Sequence, residues 1–192
     1  ALEELRLNNN IPIIGVIDPA VDAAARATKN GRIGVIATPS TIASGAYERA
    51  LLAKNSTFHV TSQACALFVP LVENGFVDAD DPIPRLTAER YLAPIKESGA
   101  DTLILGCTHY PLLKKAIAEY MGDSVKLVSP GEEVAKFLRK KITPENAHSE
   151  VCDDERYRYF VSDSVESFEQ LGSIFLETPI NGKVNKIDIE KY

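Results

Sequence analysis

Three cysteines and three histidines occur in the 192 residues, and one of each lies two positions apart in Asp101-Thr-Leu-Ile-Leu-Gly-Cys107-Thr108-His109-Tyr110-Pro111. An apolar run enters a glycine turn that presents a thiol directly before a helical pattern. Ligands of open α/β sheets bind beyond the carboxyl ends of the strands, and helix N-terminal N–H groups favour negative charge. A cysteine in that position has a lowered pKa and more thiolate, and a histidine beside it can exchange a proton with it or with a reacting group. The plainer alternative makes Cys107 a small buried residue at a strand end and His109 a helix cap. A metal reading has only His59, His148 and the distant Cys65 and Cys152 to draw on, and Cys-x-His alone lacks the usual four-ligand spacing.

The elements that must position these residues alternate in type. Apolar, β-branched runs predict strands at residues 13–17, 33–36, 58–61, Thr102–Leu105 and Lys126–Val128. Helical periodicity lies between them: Val21, Ala24, Ala25 and Thr28; Ala46, Ala50 and Leu51; Tyr91, Leu92 and Ile95; Leu112, Leu113, Ile117 and Tyr120. This is the pattern of an α/β fold with a mainly parallel sheet flanked by helices. Asp18-Pro19 and Ser129-Pro130 interrupt two predicted strands in the same way, and are read as paired hinge crossings. On that reading residues 18–129 form one complete α/β domain, and residues 1–17 and 130–192 belong to a second, incomplete one. The second domain is expected to carry a helix over 132–141, a polar loop through Pro144 and His148, a strand near 157–161, a helix over Val165–Leu176 and a strand near 184–187. Leu2-Glu3-Glu4-Leu5 reads as the middle of a helix, so the start reads as a cut.

Composition narrows the classes further. Acidic residues number 27 and basic residues 21, for a net charge of −6; they are mixed along the chain and offer nucleic acid no basic stripe. The apolar runs fall far short of the roughly 20 residues that cross a bilayer, and no signal peptide is visible. Three scattered cysteines make no disulfide framework and fit a reducing cytoplasm. Cys65 is expected in the core, Cys152 in an acidic loop that raises its pKa, His59 half-buried on a strand, and His148 in a loop without a role.

Several motifs together carry a resemblance. Residues 103–112 resemble the second-cysteine motif of bacterial glutamate racemases. Gly34-Val-Ile-Ala-Thr38-Pro-Ser-Thr41-Ile-Ala-Ser44-Gly-Ala-Tyr47, Ala64-Cys65-Ala66-Leu-Phe-Val-Pro70-Leu-Val-Glu73-Asn-Gly75 and Lys186-Ile-Asp-Ile-Glu190 resemble further blocks of that family in the family's order. The likeness extends over nearly the whole chain. It implies two pseudo-symmetric domains with the active site between them and a cofactor-independent interconversion of L- and D-glutamate. Two cysteines would face opposite sides of the substrate Cα, one thiolate removing the proton while the other thiol donates one.

By that resemblance Cys107 is the second cysteine, His109 its proton partner, Glu73 the carboxylate that orients His109, and Thr108 a substrate contact. Thr38 and Thr41 follow a strand and open a helix, where hydroxyls cap N–H groups or bind a carboxylate; Thr41 is expected to cap and Thr38 to touch substrate. Ser44 and Tyr47 are expected to be structural. The resemblance further implies D-glutamate supply for peptidoglycan and a homodimer as one assembly. No Cys-Asn-Thr-Ala segment occurs in the 192 residues, so the first catalytic cysteine is absent and the chain alone is expected not to racemise. An uncovered domain face is expected to leave it marginally stable or self-associating. Aspartate and hydantoin racemases share the two-cysteine plan, but their second motif usually lacks the His-Tyr-Pro continuation present at 109–111. From a different class, a noncatalytic amino-acid-binding module predicts no preferential alkylation of Cys107.

Overall fold

The computed structural model describes residues 2–142, 157–180 and 182–191, and the chain divides into two compact units, Ala1–Ile142 and Thr143–Tyr192. His148, Cys152 and the polar loop at 144–148 lie outside the described residues.

The first unit is built on four parallel strands, β1 (Arg32–Ala37), β2 (His59–Ala64), β3 (Thr102–Leu105) and β4 (Lys126–Val128), in the order β2-β1-β3-β4. β1 and β3, in the middle, are buried along nearly their whole length. That is why both read as unbroken apolar runs rather than alternating ones. Successive side chains still point to opposite faces. Ile33, Val35 and Ile104 pack against α2 (Ile17–Ala27) and α4 (Ala46–Lys54). Ile36, Leu103 and Leu105 pack against α5 (Phe68–Glu73), α6 (Pro82–Glu97) and α7 (Lys114–Met121). Gly34 faces α6 so closely that a Cβ there would stand 2.5 Å from Ile95 Cγ2. The unit also contains α1 (Leu2–Asn8), α3 (Pro39–Ser44) and α8 (Pro130–Lys141).

The predicted strand at 13–17 is absent: residues 11–16 form neither helix nor strand, and Ile17 begins α2. Its apolar, β-branched run is real, but a strand exists only where a neighbour takes its hydrogen bonds. None of the described strands pairs with it, and Ile11, Ile14 and Val16 are exposed. Asp18 and Pro19 accordingly sit in the first turn of α2, where proline's missing N–H costs nothing. β2 begins and ends later than expected, and His59 on it is exposed rather than half-buried.

Asp101 anchors the amino end of the central strands. Its carboxylate accepts from Thr28 Oγ1 at 2.7 Å, Lys29 N at 2.7 Å, Asn30 N at 2.8 Å and Thr102 Oγ1 at 3.0 Å. Partial burial acts to raise its pKa, but these donors outweigh it and hold the carboxyl below its usual value. A depressed folded pKa means that the stabilisation is complete above the unfolded value of about 3.9 and is lost as pH falls through the folded pKa. Asp101→Ala is therefore expected to cost about 2 kcal/mol at neutral pH, discounted for partial exposure. In urea titrations the gap from the unsubstituted chain should narrow below about pH 4; a gap constant down to acid would remove the carboxylate from the account.

In the second unit, β5 (Tyr159–Val161) pairs in parallel with β6 (Val184–Lys186). They are connected through α9 (Val165–Leu176), capped by Ser164 Oγ accepting from Ser167 N at 3.1 Å.

Candidate active site

The carboxyl ends of β1, β2 and β3 open onto one edge of the sheet, at Thr38, Cys65 and Gly106-Cys107-Thr108. Ile36 pairs with Leu105, so Thr38 and Cys107 each lie two residues beyond the same rung of the ladder. Parallel pairing alone thus sets the threonine and the thiol side by side in register.

Gly106 makes the turn possible. Its N–H donates to Ile36 O at 2.7 Å, and a Cβ on it would stand 2.9 Å from that carbonyl, 3.0 Å from Tyr47 Cε2 and 3.1 Å from Ala37 Cβ. Cys107 follows, half-buried, with His109 at the start of a 3₁₀ turn (Tyr110–Leu113) that leads into α7. The imidazole does not cap that turn. Its Nδ1 lies 4.0 Å from Cys107 Sγ and 3.2 Å from Thr108 Oγ1, while its Nε2 lies 3.4 Å from Glu73 Oε1. A carboxylate facing Nε2 favours the proton there and leaves the Nδ1 lone pair toward the thiol. Carboxylate, imidazole and thiol are then in the order that moves a proton onto or off sulfur.

Glu73 reaches His109 because α5 is locked beside the 3₁₀ turn. Phe68 meets the Tyr110 ring edge-on at 5.1 Å and the Tyr91 ring at 5.5 Å. Tyr110 Oη donates to Cys65 O at 2.8 Å, tying the turn after β3 to the turn after β2. Burial pushes the Tyr110 phenol up, with smaller contributions from Cys65, Cys107 and Tyr91.

The capping role expected of Thr41 belongs to Thr38. Thr38 is the N-cap of α3, accepting from Thr41 N at 3.4 Å, and its hydroxyl donates to Thr41 Oγ1 at 3.0 Å. The residue at the strand end has the extended backbone a cap requires, whereas Thr41 is already helical. Cys65 is fully buried, as expected, and burial pushes its thiol up to about 12. Among the described residues no three His, Cys, Asp or Glu side chains gather as metal ligands would, and no helix is long and apolar enough to cross a membrane.

The chain's similarities concentrate on one group of enzymes. Residues 1–138 match the family model described as Asp/Glu/hydantoin racemase. A glutamate racemase of Geobacter metallireducens is 42% identical over 190 residues, 99% of this chain and 69% of that protein. One from Persephonella marina is 41% identical over 100% of this chain and 69% of its own length. Among solved structures, a glutamate racemase isoform from Bacillus anthracis superposes with a TM-score of 0.87 at 36% identity, covering 98% of this chain and 69% of that one. The Francisella tularensis glutamate racemase in complex with D-glutamate gives 0.83 at 34% identity, covering 98% and 68%.

Proposed function

The chain belongs to the Asp/Glu/hydantoin racemase family, and from that premise we propose that its substrate is glutamate and that Cys107 serves one face of the substrate Cα. The thiolate of Cys107 takes the α-proton, forming S–H and leaving the electron pair in the adjoining carboxylate system; the same S–H returns a proton to that face. Inversion requires a second thiol on the opposite face, because a single base returns the proton where it took it. His109 holds and releases the Cys107 proton, Glu73 orients His109, and Thr108, Thr38 and Thr41 bind the substrate. No cofactor enters this scheme.

The observation that carries the proposal is His109 standing between the Glu73 carboxylate on one nitrogen and the Cys107 and Thr108 side chains on the other. It lies at the strand ends where this architecture places ligands. We assign residues 18–129 to one complete domain and residues 1–17 and 130–192 to its pseudo-symmetric counterpart. The reaction supplies D-glutamate for peptidoglycan in a bacterial cytoplasm, with a homodimer as the working assembly.

The test is solvent exchange at Cα. Incubated in deuterium oxide with each enantiomer separately, the 192-residue chain is expected to exchange the α-proton of one enantiomer with retention and to racemise neither. Exchange of neither enantiomer would sink the assignment of Cys107 and favour an amino-acid-binding module. Exchange of L- and D-aspartate in preference to glutamate would move the substrate to aspartate.

A further inference from the structure

We propose that the Thr108 hydroxyl competes with the Cys107 thiol for Nδ1 of His109, holding the thiol protonated until a substrate carboxylate draws the hydroxyl away. The inference rests on the proposed roles of Cys107 and His109 in proton transfer and of Thr108 in substrate contact; the linking of the two through one nitrogen is new to it.

Two donors converge on one lone pair. His109 Nδ1 lies 3.2 Å from Thr108 Oγ1 and 4.0 Å from Cys107 Sγ, and the Glu73 carboxylate, 3.4 Å from Nε2, favours the proton on that second nitrogen. Nδ1 is then an acceptor, and a neutral imidazole has one acceptor nitrogen to offer. The hydroxyl stands at ordinary hydrogen-bonding distance, whereas the thiol stands farther off and an S–H is a weak donor. With the hydroxyl seated on Nδ1, the thiol keeps its proton.

The hydroxyl is also the donor that a ligand reaches first. Thr108 is exposed, while Cys107 and His109 on either side of it are half-buried. A hydroxyl has one proton to give, and a carboxylate is a stronger acceptor than a neutral imidazole or water. Once a substrate carboxylate takes that proton as a hydrogen bond, Nδ1 is open to the thiol. The Cys107 S–H bond breaks with its electron pair left on sulfur, the proton forms N–H on Nδ1, and Glu73 faces the resulting imidazolium at Nε2. The new N–H then points to the thiolate, a charged acceptor, so the hydroxyl does not regain its place.

The remaining titratable groups near Cys107 do not interfere. They are Tyr110 in the same turn, Tyr47 on α4 and, through His109, Glu73 on α5. Burial is the main cause that pushes both phenols up, Tyr47 to about 12, so both stay neutral where a thiol of reference pKa about 8.5 ionises. The state of the thiol is therefore left to His109 and to whichever donor occupies its Nδ1. A ligand without a carboxylate within reach of Thr108 leaves the thiol protonated, which makes the hydroxyl a determinant of which molecules are deprotonated.

The test reads the thiol directly and needs no turnover. In Thr108→Val, which keeps the shape and removes the hydroxyl, the pH midpoint for iodoacetamide alkylation of Cys107, followed on its own peptide by mass spectrometry, is expected to fall by about one unit. That gives about tenfold more thiolate below the midpoint, and Thr108→Ser, which keeps the hydroxyl, should hold the original value. A hydroxyl that only contacts substrate or only holds the turn moves nothing, so an unchanged or raised midpoint in the folded variant overturns the proposal. Should Thr108→Val fail to fold, Thr108→Ala is read in the same way. With His109→Gln already in place, Thr108→Val should no longer lower the midpoint; an equal fall there overturns the proposal, because the hydroxyl would then act on sulfur without the imidazole. In the unsubstituted chain with ¹⁵N-labelled histidine, glutamate at a level that protects Cys107 from alkylation should move the His109 Nδ1 signal toward the imidazolium value; protection with an unmoved signal overturns it. Failure of glutamate to exchange or protect, alongside a Thr108-dependent midpoint, would refute the substrate assignment and leave the competition for Nδ1 standing.

Discussion

Cys107→Ser is expected to reduce α-proton exchange of glutamate to background, and His109→Gln to slow it by about a hundredfold or more. A serine hydroxyl stays protonated at any pH where a thiol ionises, so the serine variant has the geometry but no base. For His109 the expectation follows from the usual contribution of a positioned acid or base, about 10²–10⁴ in rate. The imidazole is the group within 4.0 Å of the sulfur through Nδ1 and within 3.4 Å of Glu73 through Nε2. Glu73→Gln keeps the shape and removes the charge that favours the proton on Nε2, so a smaller loss, about tenfold, is expected there. The Glu73 side chain is 46% exposed, which lets water replace part of its effect. Exchange measured by proton NMR in deuterium oxide, with each variant's fold checked by circular dichroism, orders the three. Equal losses in Glu73→Gln and Cys107→Ser would contradict an orienting role for the carboxylate. Undiminished exchange in His109→Gln would remove the imidazole from the proton path.

Phe68→Ala is expected to destabilise the first unit by about 3–5 kcal/mol, the usual cost of emptying a buried aromatic site, from a total that for a domain is about 5–15 kcal/mol. Phe68 is fully buried and is the ring against which Tyr91 and Tyr110 both stand, at 85° and 87° to it. Edge-on pairs of this kind add about 0.5–1.5 kcal/mol beyond the area they bury. The loss would extend into the site. α5 carries Glu73 at its far end, and Tyr110 follows His109 directly, so loosening Phe68 frees both partners of the imidazole. Cys65 reports the same event. In the unsubstituted chain it is buried with a thiol pushed up to about 12, so alkylation near neutral pH should mark Cys107 and spare Cys65. In Phe68→Ala the Cys65 peptide should become labelled. A urea midpoint close to that of the unsubstituted chain, with Cys65 still unlabelled, would show that the aromatic cluster does not hold the two turns together.

Both predictions depend on contacts that the order of residues does not disclose. Cys107, Thr108 and His109 were legible as a site because the chemistry is local: a strand, a glycine and a thiol in succession put sulfur and imidazole within one turn whatever surrounds them. Thr38 was legible as a site residue for a related reason, since it ends one strand and opens a helix. Its capping role was misassigned to Thr41, because which hydroxyl caps depends on which residue keeps extended dihedrals. That Tyr110 reaches the Cys65 carbonyl, that Phe68 holds it there, and that Tyr47 abuts Gly106 from the opposite face are all long-range facts. Each residue taken alone reads as an ordinary core aromatic.

The strands divide in the same way. β3 and β4 fall where they were expected because an apolar run in a fully covered sheet records burial on both faces, which is a property of the run itself. Residues 13–17 carry an equally apolar, β-branched run and form no strand among the described residues. Periodicity states which side chains share a face, but it does not supply the neighbouring backbone to which a strand must bond. By itself, then, the sequence determined the α/β class, the central strands and the placing of a thiol and an imidazole at a strand's carboxyl end. Those follow from local sterics and from hydrophobic burial. The contact of Glu73 with His109 was implied by the family resemblance but by no local pattern, and the tertiary structure alone decided that Tyr110 is tied to the Cys65 carbonyl and that one strand-like segment stays unpaired among the described residues. Those outcomes require groups far apart in the chain to be brought within a few ångströms of one another, and packing does that.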